Sequence, residues 1–133
     1  MKPVFADSVY FFALLNRRDR MHESAFRFAD RATNPIITTA WVLTEVADGL
    51  APKATRQAFV RLLEILESAP DVEVIPPSPD LFHQGVQRYV QRPDKDWSLT
   101  DCISFVVMEQ RGLTEALTSD HHFEQAGFAT LLM

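Results

Sequence analysis

The segment from Trp97 to Met108 is apolar on almost every side and yet carries an acid near its start, which constrains the fold more than any other feature of the chain. A helix without a polar face belongs in the interior of a domain. Asp101 is therefore expected at the entrance to a buried element. A purely local interpretation also exists, because Ser98 and Asp101 have the spacing of a capping box, in which each side chain bonds a free backbone amide of the first turn.

Composition indicates one compact unit. The chain has 133 residues, of which 47% are hydrophobic, and this predicts a single domain over residues 1–133 with its own core. No apolar run approaches the ~20 residues of a membrane helix, and Asp7 stands where a secretory signal is apolar. We therefore expect a cytoplasmic protein without membrane association. The single cysteine, Cys102, excludes an internal disulfide and any multi-cysteine metal site.

Hydrophobic periodicity predicts strands that alternate with helices. The predicted strands cover residues 3–6, 36–39, 72–75, 115–118 and 128–132. The predicted helices cover residues 9–15, 22–32, 41–50, 55–68, 78–91 and 120–126, besides the buried helix, which ends at Gly112. This alternation is typical of an α/β sandwich with a mostly parallel sheet.

Three acids follow or face the ends of these strands. Asp7 follows the first strand, Asp120 follows the fourth, and Asp101 begins the helix that must pack on the sheet. Ligands bind at the carboxyl ends of parallel strands, so we expect the three carboxylates to converge at one edge. Like charges raise one another's pKa, and such a cluster persists only if a cation neutralises it or some members hold protons. Hard oxygen ligands favour Mg²⁺ or Mn²⁺.

Glu45 is a fourth acid that periodicity alone does not assign to a site. At 100° per residue it lies ~130° from the centre of the apolar stripe of its helix. The helical wheel therefore predicts an exposed glutamate.

The acids occur in four segments, namely Asp7-Ser8, Thr44-Glu45-Val46, Trp97–Cys102 and Leu117–Phe128. In this order they resemble the PIN domain, most closely the VapC-type toxins of toxin–antitoxin systems. The resemblance extends over essentially the whole chain, and the last two segments are its specific part. It implies a three-layer α/β/α sandwich and a metal-dependent endoribonuclease that binds Mg²⁺ or Mn²⁺ through four acids, Asp7, Glu45, Asp101 and Asp120.

The resemblance also implies partners. These are an RNA substrate, a small protein antitoxin and a second copy of the chain in a homodimer. A formal charge of -5 argues against RNA binding by a bulk positive field. The acids offer an inhibitor a place to insert one arginine or lysine among Asp7, Glu45 and Asp101.

The chemistry of such a site favours hydrolysis by water. One or two divalent ions would activate the water and offset charge on the leaving oxygen, so we expect 5'-phosphate and 3'-hydroxyl ends. Ser8, Thr100 and Ser119 are expected to hydrogen-bond the acids or the waters around the ion. The alternative for each hydroxyl is a helix cap or a turn.

Other polar residues fit structural roles better. His121 and His122 are adjacent on a helix and are expected to point in different directions, as cap or packing residues. Asp94 and Asp96 are expected to be solvated loop acids. A receiver domain would need adjacent acids after the first strand, and an aspartyl phosphatase would need an acid where Val9 stands. A stand-alone RNA-processing nuclease and a non-catalytic interaction module remain alternatives.

Overall fold

The computed structural model describes residues 1–133 and contains five strands and seven helices. The strands are β1 (Val4–Ala6), β2 (Ile36–Thr39), β3 (Val72–Ile75), β4 (Glu115–Leu117) and β5 (Ala129–Thr130). The helices are α1 (Ser8–Leu15), α2 (His22–Arg31), α3 (Ala40–Gly49), α4 (Arg56–Ser68), α5 (Pro79–Gln91), α6 (Leu99–Arg111) and α7 (His121–Gln125). Every element predicted from the sequence is present.

The sheet is entirely parallel and has the strand order β3-β2-β1-β4-β5. Strands β2 and β3 therefore lie on one side of β1, and β4 and β5 lie on the other side. Parallel strands joined by right-handed crossovers place helices on opposite faces of the sheet when the strand order reverses. This confirms the predicted α/β class. It also creates a crevice at the carboxyl ends of β1 and β4, where the order reverses.

The interior is formed by β1 and α6. All three residues of β1 are buried, and α6 has eight consecutive buried residues, Asp101 to Met108. The prediction that this helix lies in the core is therefore confirmed. Helix α5 packs closely on α6 at Gly85, where an added methyl group would lie 2.3 Å from Cγ1 of Ile103. Only a residue without a side chain fits there.

Helix α6 ends where the sequence indicates. Gly112 has φ 66°, a left-handed conformation that glycine adopts at little cost, and its amide bonds back to the last turn. None of the helices combines the length and the apolar character needed to cross a bilayer.

The last strand is shorter than predicted. It covers Ala129–Thr130 instead of residues 128–132. Leu131 and Leu132 still run beside β4, because their amides bond the carbonyls of Ala116 and Thr118 at 3.0 and 3.2 Å. The chain therefore continues along the sheet edge without completing a ladder.

Candidate functional site

Asp7 is the most deeply buried acid of the site. It links β1 to α1 and is only 3% exposed. Its Oδ2 atom accepts a 2.9 Å hydrogen bond from the hydroxyl of Thr118. Burial raises the pKa of Asp7 to about 7; the Thr118 hydrogen bond and the Ser8 amide lower it, whereas the charges of Asp101 and Glu45 raise it. This carboxyl therefore holds a proton for part of the time near neutral pH.

Asp101 has two structural roles. The capping box is formed, since Ser98 Oγ accepts from the Asp101 amide at 3.0 Å and Asp101 Oδ2 accepts from the Ser98 amide at 3.2 Å. Oδ2 also lies 3.2 Å from Nδ1 of His122. Burial raises the pKa of Asp101; the Ser98 hydrogen bond opposes this and the charge of Asp120 adds to it. The local cap and the predicted acid cluster therefore coexist at this residue.

Asp120 is held by its own helix. It is the N-cap of α7, and its Oδ1 atom accepts a 2.9 Å hydrogen bond from the backbone amide of His122. Its own amide donates to the hydroxyl of Thr118 at 3.1 Å. Asp7, Asp101 and Asp120 thus interact with one another or share a partner, and we call these three residues the carboxylate cluster.

Glu45 forms no hydrogen bond with the carboxylate cluster but influences it through its charge. The helical wheel correctly predicted an exposed side chain on α3. Its charge nevertheless raises the pKa of the buried Asp7. An exposed glutamate can therefore influence the acids of the cluster through its charge, which the helical wheel could not indicate.

The three predicted hydroxyl residues lie near the acids, but none of their side chains hydrogen-bonds an acid. Ser8 is buried at the start of α1, while Thr100 and Ser119 are half-buried at the start of α6 and before α7. The hydroxyl that does contact an acid is that of Thr118, which sequence reasoning assigned only to a strand. A threonine that follows an apolar strand, two residues before an acid, is the signal that was available in the sequence.

The two histidine side chains do not point in different directions as predicted, while a cap or packing role for them stays a prediction. Their ring centroids are 4.5 Å apart, and Nδ1 of His121 and of His122 lie 3.7 and 3.5 Å from Oδ1 of Asp120. Helical side chains lean toward the N-terminus, so in the first turn of a five-residue helix both rings return to the N-cap. Among all acidic, histidine and cysteine side chains, only Asp120, His121 and His122 form a group of three with donor atoms within 4.8 Å of one another.

The two loop acids lie where they were expected. Asp94 is exposed and its carboxylate accepts paired hydrogen bonds from the guanidinium of Arg92 at 3.0 and 3.1 Å. Asp96 is exposed as well. Neither forms a hydrogen bond with the carboxylate cluster.

Each acid of the carboxylate cluster accepts a hydrogen bond from the protein on one named oxygen. Oδ2 of Asp7, Oδ2 of Asp101 and Oδ1 of Asp120 accept the hydrogen bonds described above. The second oxygen of each accepts no hydrogen bond from another side chain. Three carboxylates are therefore oriented by hydrogen bonds from the protein.

Comparison with known proteins gives a consistent result. The family model of the PIN domain matches residues 4–129. The 23S rRNA-specific endonuclease VapC20 of Mycobacterium tuberculosis is 30% identical over 126 residues, which cover 94% of this chain and 95% of the relative.

Solved structures agree with the sequence match. The crystal structure of Mycobacterium tuberculosis VapC20, a sarcin-ricin loop cleaving toxin, superposes with a TM-score of 0.87 at 26% identity and covers 98% of this chain and 99% of that one. VapBC2 from Rickettsia felis, solved with a fragment of promoter DNA, has a TM-score of 0.70 at 13% identity and covers 96% of each chain. The second likeness shows the fold alone.

Proposed function

Because the chain belongs to the PIN domain family, we propose that it is a metal-dependent endoribonuclease and the toxin of a toxin–antitoxin pair. The observation that carries the proposal is the carboxylate cluster, whose three acids are oriented by hydrogen bonds from the protein. The relationship to VapC20, an endonuclease specific for 23S rRNA, supports the same reaction class.

The donor set suits Mg²⁺ or Mn²⁺. Asp7, Asp101 and Asp120 offer carboxylate oxygens, which these hard cations prefer, and Glu45 adds a fourth. Burial of Asp7 and mutual repulsion raise the pKa of this acid, so neutralisation by a cation would relieve an unfavourable arrangement. When bound, a divalent ion supplies activation of water and charge stabilisation at the leaving oxygen.

The protein itself contributes orientation. The Thr118 hydroxyl holds Asp7, the Ser98 amide holds Asp101, and the His122 amide holds Asp120. Each of these donors fixes one oxygen and so directs the other, which limits the reorganisation needed when substrate and ion bind. Cleavage by water leaves 5'-phosphate and 3'-hydroxyl ends.

For the substrate we propose structured RNA, with 23S ribosomal RNA as the first candidate because of the relationship to VapC20. Such a substrate places the activity in the cytoplasm. For the partners we propose a homodimer and a small antitoxin that inserts an arginine or lysine among the acids, because a cationic side chain is the chemical complement of the cluster.

An RNA cleavage assay tests the reaction. The purified chain is incubated with 23S rRNA in Mg²⁺, in Mn²⁺ and in EDTA, together with the Asp7→Asn variant and an Asp48→Asn control. Asp48 is an exposed acid on α3 that is not among the four proposed ligands. We expect cleavage by the wild type and by the control only when metal is present, and none by Asp7→Asn. Full activity in EDTA, or 2',3'-cyclic phosphate ends, would contradict the proposal.

The toxin assignment has a separate test. Expression of the wild-type chain in bacteria should arrest growth, and expression of Asp7→Asn at the same level should not. Co-expression of the neighbouring reading frame should restore growth. Active enzyme without growth arrest would favour a stand-alone RNA-processing nuclease.

A further inference from the structure

We propose that Asp120, His121 and His122 form a second cation site, which takes a borderline transition-metal ion and above all Zn²⁺. We call these residues the rim site. The rim site lies beside the carboxylate cluster and shares Asp120 with it. Zinc binding does not depend on the proposed function, whereas the regulatory consequence drawn below rests on it.

Interatomic distances are the first support. Nδ1 of His121 and of His122 lie 3.7 and 3.5 Å from Oδ1 of Asp120. One donor atom from each of the three residues lies within 4.8 Å of the other two. Both separations exceed the ~2.7–3.2 Å of N–H···O hydrogen bonds. Zinc bonds of ~2.0–2.2 Å in a tetrahedral arrangement put neighbouring ligand atoms ~3.4 Å apart. The observed spacing therefore suits an ion between the groups better than direct hydrogen bonds.

The donor chemistry is the second support. Two imidazole nitrogens and one carboxylate are ligands that Zn²⁺ favours, whereas Mg²⁺ prefers oxygen alone. Three protein ligands leave a fourth position for water or another ligand, as in zinc sites that exchange ligands. The rim site therefore differs in metal preference from the all-oxygen cluster beside it.

The two histidines differ in how exposed their side chains are and in how firmly the protein holds them. The side chain of His121 is 72% exposed, so an ion can reach it directly from solvent. The side chain of His122 is only 20% exposed, and its amide also fixes Oδ1 of Asp120. One ligand is thus open to the ion and two are already held in place.

Occupation of the rim site would affect both neighbouring acids. Nδ1 of His122 lies 3.2 Å from Oδ2 of Asp101, and an ion on this nitrogen would replace that hydrogen bond. The same ion would engage Oδ1 of Asp120 and reduce its charge. If the carboxylate cluster is the nuclease centre, Zn²⁺ at the rim site would therefore inhibit the Mg²⁺-dependent reaction.

Calorimetric titration with ZnCl₂, and separately with MgCl₂, tests the site on the full chain. The variants are His121→Ala, which changes an exposed side chain, and His122→Asn, whose amide nitrogen can still donate to Asp101. His83→Ala is the matched control, because His83 is exposed on α5 and packs on Phe82. We expect each rim variant to weaken Zn²⁺ binding at least about tenfold, with the Mg²⁺ affinity of His121→Ala changed less than about threefold and the control unchanged.

Nitrogen NMR of the histidine rings gives a readout that a structural effect would not produce. The chain has four histidines, and Zn²⁺ should shift the ring nitrogens of His121 and His122 but not those of His22 and His83. Absence of zinc binding at micromolar concentration, or unchanged affinity in both rim variants, would overturn the proposal. Mg²⁺-dependent RNA cleavage is measured on the same samples. Cleavage without zinc binding refutes the rim site alone, and zinc binding without cleavage refutes the nuclease alone.

Discussion

The hydroxyl of Thr118 donates a 2.9 Å hydrogen bond to Oδ2 of Asp7, across 111 positions of sequence. The same hydroxyl accepts a hydrogen bond from the amide of Asp120 at 3.1 Å. Thr118 is fully buried, so its hydroxyl is shielded from bulk solvent. One side chain at the end of β4 therefore orients the acid that follows β1 and positions the acid that begins α7.

Replacement of Thr118 by valine should show how much the hydrogen bonds of its hydroxyl contribute beyond the packing of the side chain. Valine retains the shape but leaves a buried carboxylate without its donor, so we expect the free energy of unfolding to fall by about 1–3 kcal/mol at pH 8. RNA cleavage should fall as well, whereas Thr118→Ser should retain most of both properties. Urea unfolding and the cleavage assay measure the two effects. Equal behaviour of the valine and serine variants would show that the hydroxyl has no role.

The burial of Asp7 predicts a pH-dependent stability in the absence of metal. Burial raises the pKa of Asp7 from 3.8 to about 7. A carboxyl whose pKa is raised by folding stabilises the fold at low pH, and this contribution is lost as the pH rises through the folded-state pKa. Relative to Asp7→Asn, we expect the wild type in EDTA to lose about 4 kcal/mol between about pH 4 and pH 8. Urea unfolding at several pH values provides the measurement, and parallel curves would contradict it.

Glu45 offers a test of function without a change in stability. Its side chain is exposed, so Glu45→Gln should alter the free energy of unfolding by less than about 0.5 kcal/mol. Loss of its charge should lower the pKa of Asp7, because that charge raises it in the wild type. We expect cleavage to fall by at least about tenfold, with Asp48→Asn on the same helix near normal. Normal activity of Glu45→Gln would remove this residue from the proposed site.

A pair of variants can distinguish the role of Asp101 as a helix cap from its proposed role in binding metal. Ser98→Ala removes the N-cap hydroxyl and should cost about 1 kcal/mol of stability with little change in the acid's charge. Asp101→Asn keeps an oxygen that can accept from the Ser98 amide but removes a repelling charge, so stability in EDTA should stay level or rise. Cleavage should fall by orders of magnitude only in Asp101→Asn, and Mg²⁺ should raise its melting temperature less than that of the wild type. An Asp101→Asn variant that melts lower in EDTA yet still cleaves RNA would leave Asp101 as a helix cap only.

The contact between α5 and α6 predicts a strong packing effect. Gly85→Ala would place a methyl group 2.3 Å from Cγ1 of Ile103, whose side chain is fully buried and cannot move aside. We expect destabilisation of about 1–3 kcal/mol. Gly49→Ala is the comparison, because its methyl group would meet the ring of Phe12, which is only half-buried and can shift. Thermal melting of both variants should show the larger loss for Gly85→Ala.

Much of the fold could be predicted because its signals are local. A segment as apolar as α6 can be stable only in the interior, and β-branched residues such as those of β2 favour strands. The acids after β1 and β4 could be placed at one edge because parallel strands end together. These predictions depend on short stretches of sequence and on general rules of sheet assembly.

The details of the site could not be predicted in the same way. Thr118 finds its partner through the strand order, and no local pattern relates it to Asp7. The convergence of His121 and His122 on Asp120 depends on the side-chain directions in one short helical turn. The helical wheel predicts that Glu45 is exposed, but it cannot predict which exposed residues lie close enough to Asp7 to change its pKa. The roles of Asp7, Glu45, Asp101 and Asp120 in catalysis stay predictions until the variants are measured.

The position of β1 between β2 and β4 has a consequence for the chain as it is being translated. Strands β1, β2 and β3 have all been made once residue 75 has been added, but β4 follows only after about forty more residues. Asp7 is thus synthesised long before Thr118 and Asp120, which complete its surroundings. The three acids of the carboxylate cluster can therefore come together only after almost the whole sheet has been made.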